Sequence, residues 1–152
     1  MKIIRHLTPQ GPAHAALQPD GRVHRIEGDL FGDFRVLKDI VKPGKLLAPV
    51  APVNILAIGM NYRKHAEEGG RKVPDRPVLF LKATNTVQNP GDPIEIPLKL
   101  ASSEVDFECE LAVVIGRRCK NVGRDQALDY VLGYTCANDV SARDWQQRWG
   151  GG

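Results

Sequence analysis

The chain has 152 residues, enough for one ordinary domain with a real core and too few for two independent ones. Hydrophobic residues make up 42% and charged residues 26%, which is a globular composition, and no apolar run approaches the roughly 18 residues that span a bilayer. These values predict a soluble protein with no membrane partner. The net charge of +3 is modest and is compatible with a small, highly charged substrate.

The N-terminus and the cysteines predict a cytoplasmic protein. Residues 1–6 lack the apolar stretch and small-residue cleavage site of a secretory signal. Cys109, Cys119 and Cys136 show no C-x-x-C spacing and lie among apolar or basic neighbours. We therefore expect reduced, mostly packed thiols.

The basic cluster at residues 117–124 lacks the interleaved aromatic residues that stack nucleic-acid bases. Its basic members are Arg117, Arg118, Lys120 and Arg124. A solvated loop with no nucleic-acid partner is favoured. An RNA-binding β domain that uses this cluster is the alternative, and it predicts RNA retention that depends strongly on salt.

The first fifty residues predict short strands at 1–7, 13–17 and 23–27, with a Pro-Asp-Gly turn at 19–21. Prolines and a glycine then punctuate the chain before the apolar run 55–58, which predicts a strand buried on both faces. We place a domain boundary near Leu47. It separates a small β lead-in domain, residues 1–46, from a main module, residues 47–152.

The main module alternates predicted helices and strands. Residues 61–68 favour a short helix that Asn61 caps and that Gly69 and Gly70 end. Regular alternation over residues 105–115 predicts a long strand. The other predicted elements are a strand at 77–82, a helix at 125–132, a strand at 134–137 and a helix at 138–149.

Carboxylates occupy one face of the strand predicted at 105–115. Asp106, Glu108 and Glu110 alternate with apolar residues and with Cys109, so they share one side. Two such charges at about 5 Å and an effective dielectric near 20 repel by roughly 3 kcal/mol. Either a positive group offsets this repulsion or the carboxylates splay apart on a solvated face.

Two further groups of polar residues share a helical face in the predicted structure. Asp139, Arg143 and Gln146 are spaced i, i+4 and i+7, which would make a polar pocket wall or, alternatively, a capped surface helix with one ion pair. His65 and Glu68 are three residues apart on the short helix. Such a pair can take a proton from water, or it can be a simple surface ion pair.

Three motifs in this order closely resemble the fumarylacetoacetate hydrolase family: IGMNYRKHAEE at 58–68, VDFECELAVVIG at 105–116, and the pair GY at 133–134 with NDVSARDWQ at 138–146. The segments FLK at 80–82 and NPGD at 89–92 fit as well. The resemblance covers residues 47–146. It implies an α+β, mostly β fold, a mixed β-sandwich roll, and a homodimer.

The resemblance also implies a site for Mg²⁺, with Mn²⁺ or Ca²⁺ as substitutes, and oxygen ligands suit such hard cations. Carried over motif by motif, the implied roles are metal ligation by Glu108, Glu110 and Asp139, water activation by His65 and Glu68, oxyanion stabilisation by Arg143 and Gln146, and substrate-carboxylate binding by Lys82.

The implied activity is hydrolysis of a carbon–carbon bond in acylpyruvate-like or fumarylacetoacetate-like oxo-acids through a metal-bound enolate, as in the catabolism of aromatic compounds. Isomerases of the 2-hydroxyhepta-2,4-diene-1,7-dioate type and oxaloacetate decarboxylases are the alternatives within the family.

The chain resembles the first half to two thirds of a family member, so we expect a C-terminally truncated module with open sheet edges and a partly uncovered core. The alternative of another class is an inactive fragment that binds a metal or a partner without turnover.

Overall fold

The computed structural model describes residues 1–149, and strands dominate it. This agrees with the predicted α+β, mostly β class. The strands are β1 Lys2–Thr8, β2 Gly11–Leu17, β3 Val23–Gly28, β4 Phe34–Ile40, β5 Leu46–Leu47, β6 Ile55–Gly59, β7 Val78–Lys82, β8 Val105–Asp106, β9 Cys109–Ile115, β10 Val131–Asn138 and β11 Ser141–Ala142. The helix α1 is Arg63–Glu68, with short helical turns at Thr84–Thr86, Ala127–Tyr130 and Trp145–Trp149.

The N-terminal strands form one antiparallel sheet with the order β4-β3-β2-β1-β5. Ala15 and Ala16 of β2 are buried in its centre. The tight connection from β1 to β2 uses Gly11, whose φ of 113° is favoured only for glycine. The first three predicted strands are confirmed, whereas β4 was not predicted because its side chains are mostly exposed and show no clear apolar alternation.

The N-terminal sheet connects to the rest of the chain through β5 and the residues beside it. Leu46 and Leu47 pair with His6 and Arg5 of β1. The backbone N–H of Ala48 donates to the side-chain oxygen of Asn89 at 3.0 Å. The predicted boundary between residues 46 and 47 falls inside β5 and stays a prediction.

The second part of the chain consists of two-stranded antiparallel sheets, β6-β7, β9-β10 and β8-β11. The predicted strands at 55–58 and 77–82 are confirmed as β6 and β7. The prediction that β6 is buried on both faces is wrong, because its Leu56 is 63% exposed. Among the described residues β6 pairs with one strand, β7, and the face that carries Leu56 is exposed.

Three predicted elements are corrected by strand pairing. The strand at 105–115 is interrupted at residues 107–108, because β8 pairs with β11 while β9 pairs with β10. Of the helix predicted at 125–132, the structure has only the single turn Ala127–Tyr130, because Val131 already pairs with Ile115 in the sheet. The helix predicted at 138–149 begins only at residue 143, because Ser141 and Ala142 pair with β8, and residues 143–149 are helical as predicted.

Two local expectations are also wrong. Cys109, Cys119 and Cys136 are exposed rather than packed, and all three are free of disulfides. Cys109 and Cys136 lie on the exposed face of β9 and β10 that also carries Leu111, and Cys119 lies in the connection between these strands. Helix α1 takes Tyr62 as its N-cap residue and has no side-chain cap, so Asn61 does not cap it, although Gly69 ends it as predicted. Among residues 1–149, no helix is long and apolar enough to cross a membrane.

Candidate metal centre

The pairing of β9 with β10 brings three carboxylates together. Glu110 lies opposite Ala137 in this pair, so the residues that follow β10 return to the start of β9. There the backbone N–H of Asp139 donates to the carbonyl oxygen of Glu108 at 2.9 Å. One ligand atom from each of Glu108, Glu110 and Asp139 lies within 4.8 Å of the others. The structure therefore brings these three residues together, and their role as metal ligands stays a prediction.

Two basic side chains enter this acidic cluster. The Lys82 ammonium lies 2.5 Å from Oδ1 of Asp139, and the Arg143 guanidinium lies 2.6 Å from Oε1 of Glu108. The hydroxyl of Ser141 donates to the same oxygen of Glu108 at 3.3 Å. Part of the repulsion among the acids is thus offset by neighbouring cations.

Glu110 is the acid of the cluster that lacks a hydrogen-bond or ion-pair partner within residues 1–149. Partial burial raises the pKa of its carboxyl, and the negative charges of Asp139 and Glu108 raise it further, while Lys82 opposes them. Burial and the two neighbouring carboxylates therefore both disfavour the charged form of Glu110. A cation at this position would supply the missing charge.

The donor set fits a hard divalent cation. The converging ligands are all carboxylate oxygens, which Mg²⁺, Mn²⁺ and Ca²⁺ prefer, and no imidazole or thiolate joins the cluster in the described part of the chain. Cys109 lies between the two glutamates in sequence, and the strand alternation directs its side chain to the opposite face. A soft-metal site is therefore disfavoured here.

Arg143 joins the acidic cluster to Gln146. Its Nε and Nη2 donate to Oδ2 of Asp106 at 2.9 and 2.8 Å, and its Nη1 donates to Oε1 of Gln146 at 3.0 Å. The predicted grouping of Arg143 with Gln146 is thus observed, but the helical face that was expected to carry them with Asp139 is absent. Asp139 follows β10, and Arg143 follows β11.

His65 and Glu68 both lie on α1 with exposed side chains. No hydrogen bond or ion pair joins them within residues 1–149. The phenol oxygen of Tyr62, just before this helix, accepts a hydrogen bond from the backbone N–H of Leu111 at 2.8 Å. The helix is therefore connected to the strand that carries Glu110, and the role of the His65–Glu68 pair stays a prediction.

Sequence reasoning missed two residues that support the site, Ser141 and Asp144. Asp144 is 1% exposed and accepts hydrogen bonds from Ser102 Oγ at 2.6 Å and from the backbone N–H groups of Ser103 and Trp145 at 3.1 and 2.9 Å. It fixes the segment between Arg143 and Gln146. The adjacent serines at 102 and 103 were a possible signal, but spacing alone does not connect them to a residue about forty positions later.

Comparison with known proteins decides the family. Residues 54–150 match the family model described as fumarylacetoacetate (FAA) hydrolase C-terminal, and residues 1–57 match the model described as Rv2993c-like, N-terminal. The chain belongs to the fumarylacetoacetate hydrolase family. Members of this family are enzymes and commonly bind divalent metals, so the acidic cluster agrees with the family's chemistry.

Curated relatives and solved structures of the family resemble the chain closely. A fumarylacetoacetate hydrolase domain-containing protein 2 homolog of Dictyostelium discoideum is 50% identical over 104 residues, 68% of this chain and 33% of the relative. The mitochondrial oxaloacetate tautomerase fahd2 of Xenopus laevis is also 50% identical over 104 residues, 68% of this chain and 32% of that protein.

The crystal structure of 5-carboxymethyl-2-hydroxymuconate delta-isomerase from Mycobacterium smegmatis superposes with a TM-score of 0.82 at 36% identity, covering 99% of this chain and 59% of that one. The predicted fold of the fumarylacetoacetate hydrolase type is thus confirmed. The chain spans about a third of the two curated relatives and somewhat more than half of the solved structure.

Proposed function

We propose that the chain carries the divalent-cation site of an enzyme that converts small oxo-acids. The observation that carries this proposal is the convergence of Glu108, Glu110 and Asp139, with ligand atoms within 4.8 Å of one another. These three residues would hold Mg²⁺, or Mn²⁺ or Ca²⁺ in its place. When bound, such a cation polarises an oxo group of the substrate and stabilises the negative charge that develops on its oxygen.

The chain's own contacts hold the ligands in position. The backbone hydrogen bond from Asp139 to Glu108 fixes the loop after β10, while Arg143 and Ser141 fix the Glu108 carboxylate. Ligands that are already restrained lose less conformational freedom when they bind an ion. This arrangement supports a site that exists before the ion arrives.

We assign proton transfer to His65 and Glu68. An imidazole is suited to accept a proton from a water molecule, and a carboxylate three residues later on the same helix can orient it and stabilise its cation. The hydrogen bond between Tyr62 and Leu111 supports the assignment, because it holds the start of α1 against β9 beside Glu110.

We assign stabilisation of the reacting oxygen to Arg143 and Gln146, which are hydrogen-bonded to each other at 3.0 Å. A guanidinium has five N–H donors in a fixed plane, so Arg143 can hold Asp106 and Glu108 and still offer a donor to a substrate oxygen. Lys82 is assigned to the carboxylate of the substrate.

Hydrolysis of a carbon–carbon bond in an acylpyruvate-like oxo-acid is the first candidate reaction. Isomerisation or tautomerisation is the second, and it is favoured by the names of two relatives, an oxaloacetate tautomerase and a hydroxymuconate delta-isomerase. Oxaloacetate decarboxylation belongs to the same group. All of these reactions move a proton or a carbon group beside a polarised oxo group, so the site serves each of them.

The proposal includes a homodimer, a small oxo-acid as the sole class of substrate, and no nucleic-acid or membrane partner. A candidate of another class is a protein that binds the cation or a partner chain without turnover. The open apolar surface of β9, where Leu111 is 60% exposed, favours this candidate.

The experiment is an assay of the purified chain with acetylpyruvate and with oxaloacetate, in Mg²⁺ and after addition of a chelator. Cleavage of acetylpyruvate that stops with the chelator and in Glu108→Gln supports the hydrolase. Interconversion of enol and keto oxaloacetate without cleavage supports the isomerase. The matched control is Glu104→Gln, an exposed acid paired with Arg148 outside the cluster.

A thermal shift with Mg²⁺ but no turnover of either compound would support the binding protein instead. Equal rates with and without the chelator would contradict the metal-dependent reaction.

A further inference from the structure

Lys82, the last residue of β7, is held at the acidic cluster by contacts on two sides. Its ammonium lies 2.5 Å from Oδ1 of Asp139 and 5.5 Å from the centre of the Phe80 ring. The Asp139 side chain is 9% exposed, the least of the three acids, and that of Lys82 is 29% exposed. The lysine therefore neutralises the most buried acid of the cluster.

We propose that Lys82 is the counter-ion of Asp139 in the cation-free chain, and that a divalent cation displaces its ammonium and frees it to bind the carboxylate of the substrate. This inference rests on the proposed function. Lys82 then has two partners in succession, first Asp139 and then the substrate carboxylate. Binding of the divalent cation therefore makes the ammonium available to the substrate.

The displacement follows from charge. An ammonium and a divalent cation that share one nearly buried carboxylate repel each other, and poor solvent screening strengthens this repulsion. This repulsion weakens the hold of each positive group on the Asp139 carboxylate and favours withdrawal of one of them. The lysine is the mobile one, since its ammonium sits on a flexible four-carbon chain.

The second positive side chain of the cluster, Arg143, is held in place by several contacts. Its guanidinium is bonded to Asp106 and Gln146 as well as to Glu108, so several contacts would break if it moved. Within residues 1–149, Lys82 has Asp139 as its one ion-pair partner. The bound cation therefore displaces Lys82, and Arg143 keeps its contacts.

The freed Lys82 ammonium, together with the bound cation, favours one class of substrate. Two positive groups at neighbouring positions favour a ligand with an oxo oxygen and a carboxylate on adjacent atoms, because the cation can take one oxygen and the lysine another. A neutral ketone would gain only the first contact. The exchange thus predicts a preference for oxo-acids over simple ketones.

The experiment is calorimetric titration of the chain and of Lys82→Met with MgCl₂ and with MnCl₂. Removal of the competing ammonium is expected to tighten cation binding by about tenfold. Lys82→Arg, which keeps the charge, is expected to bind the ions as the unchanged chain does. Lys45→Met is the matched control, because Lys45 pairs with Asp92 in another part of the chain.

A second titration uses oxalate on the Mg²⁺-saturated proteins, and Lys82→Met is expected to bind it about tenfold more weakly. If Lys82→Met does not fold, Lys82→Gln takes its place in both titrations.

Cation binding that is equal in Lys82→Met and the unchanged chain, or weaker in the variant, would overturn the exchange and leave the proposed metal site intact. Absence of Mg²⁺ and Mn²⁺ binding in both proteins would overturn the metal site and the exchange together.

Discussion

The hydroxyl of Tyr62 accepts a hydrogen bond from the backbone N–H of Leu111, with 2.8 Å between the two atoms. Tyr62 immediately precedes α1, which carries His65, and Leu111 immediately follows Glu110 on β9. This one bond therefore links the helix assigned to proton transfer with the strand assigned to metal binding.

Tyr62→Phe removes that bond and leaves the Leu111 N–H without its protein partner. We expect the free energy of unfolding to fall by about 1 kcal/mol, the usual net value of such a bond, in a urea titration. Tyr134→Phe is the control, since the hydroxyl of this exposed tyrosine makes no hydrogen bond within residues 1–149. An equal decrease in the free energy of unfolding of both variants would show that the hydrogen bond of Tyr62 does not stabilise the fold.

The pH dependence of stability tests Asp144. The hydrogen bond from Ser102, aided by those from the backbone, holds the pKa of this carboxyl below its ordinary value of 3.8. A group with a depressed pKa in the folded state stabilises the fold above the unfolded pKa and loses that contribution as the pH falls through the folded value. The urea concentration at the unfolding midpoint of the chain should therefore decrease once the pH is lowered past about 4.

Asp144→Asn should have a lower urea midpoint than the unchanged chain at pH 7, and the gap should narrow as the pH drops below 3.8. The exposed Asp125 provides the control, as Asp125→Asn should leave the midpoint unchanged at every pH. A gap that stays constant from neutral to acidic pH would contradict the role given to the Asp144 charge.

The uncovered face of β9 predicts self-association. Leu111, Val113 and Ile115 are exposed side by side on this strand, and an apolar sheet surface of this kind favours contact with another chain. Leu111→Lys should lower the average mass measured by light scattering at high protein concentration. Leu128→Lys, at an exposed position outside the sheet, should not change it. Equal masses for all three proteins would contradict this prediction.

The fold could be predicted where one local pattern decides the structure. The short strands of the N-terminal sheet follow from alternation and from turn residues, and the ends of β6 and β7 follow from glycine and proline. The helix predicted at 138–149 failed only in its first part, because Ser141 and Ala142 pair with β8 as a strand while residues 143–149 are helical. Such a long-range pairing overrides local propensity and is invisible in spacing.

The acidic cluster could be predicted because the family's motifs carry its three acids. Its surroundings could not, because the contact of Lys82 with Asp139 joins two residues 57 positions apart, one at the end of β7 and the other just after β10. The exposed faces of β6 and β9 also differ from the expectation, since apolar sequence predicts burial without saying which part of the chain supplies the cover.

Calorimetric titration of the chain with MnCl₂ and MgCl₂ tests whether Glu108, Glu110 and Asp139 hold one hard divalent cation. We predict binding of one ion per chain, weakened at least about tenfold by Glu108→Gln, Glu110→Gln or Asp139→Asn, and unchanged by Glu104→Gln. Ion binding that persists unchanged in the three ligand variants, or no binding by the unchanged chain, would contradict the assignment of these three acids as metal ligands.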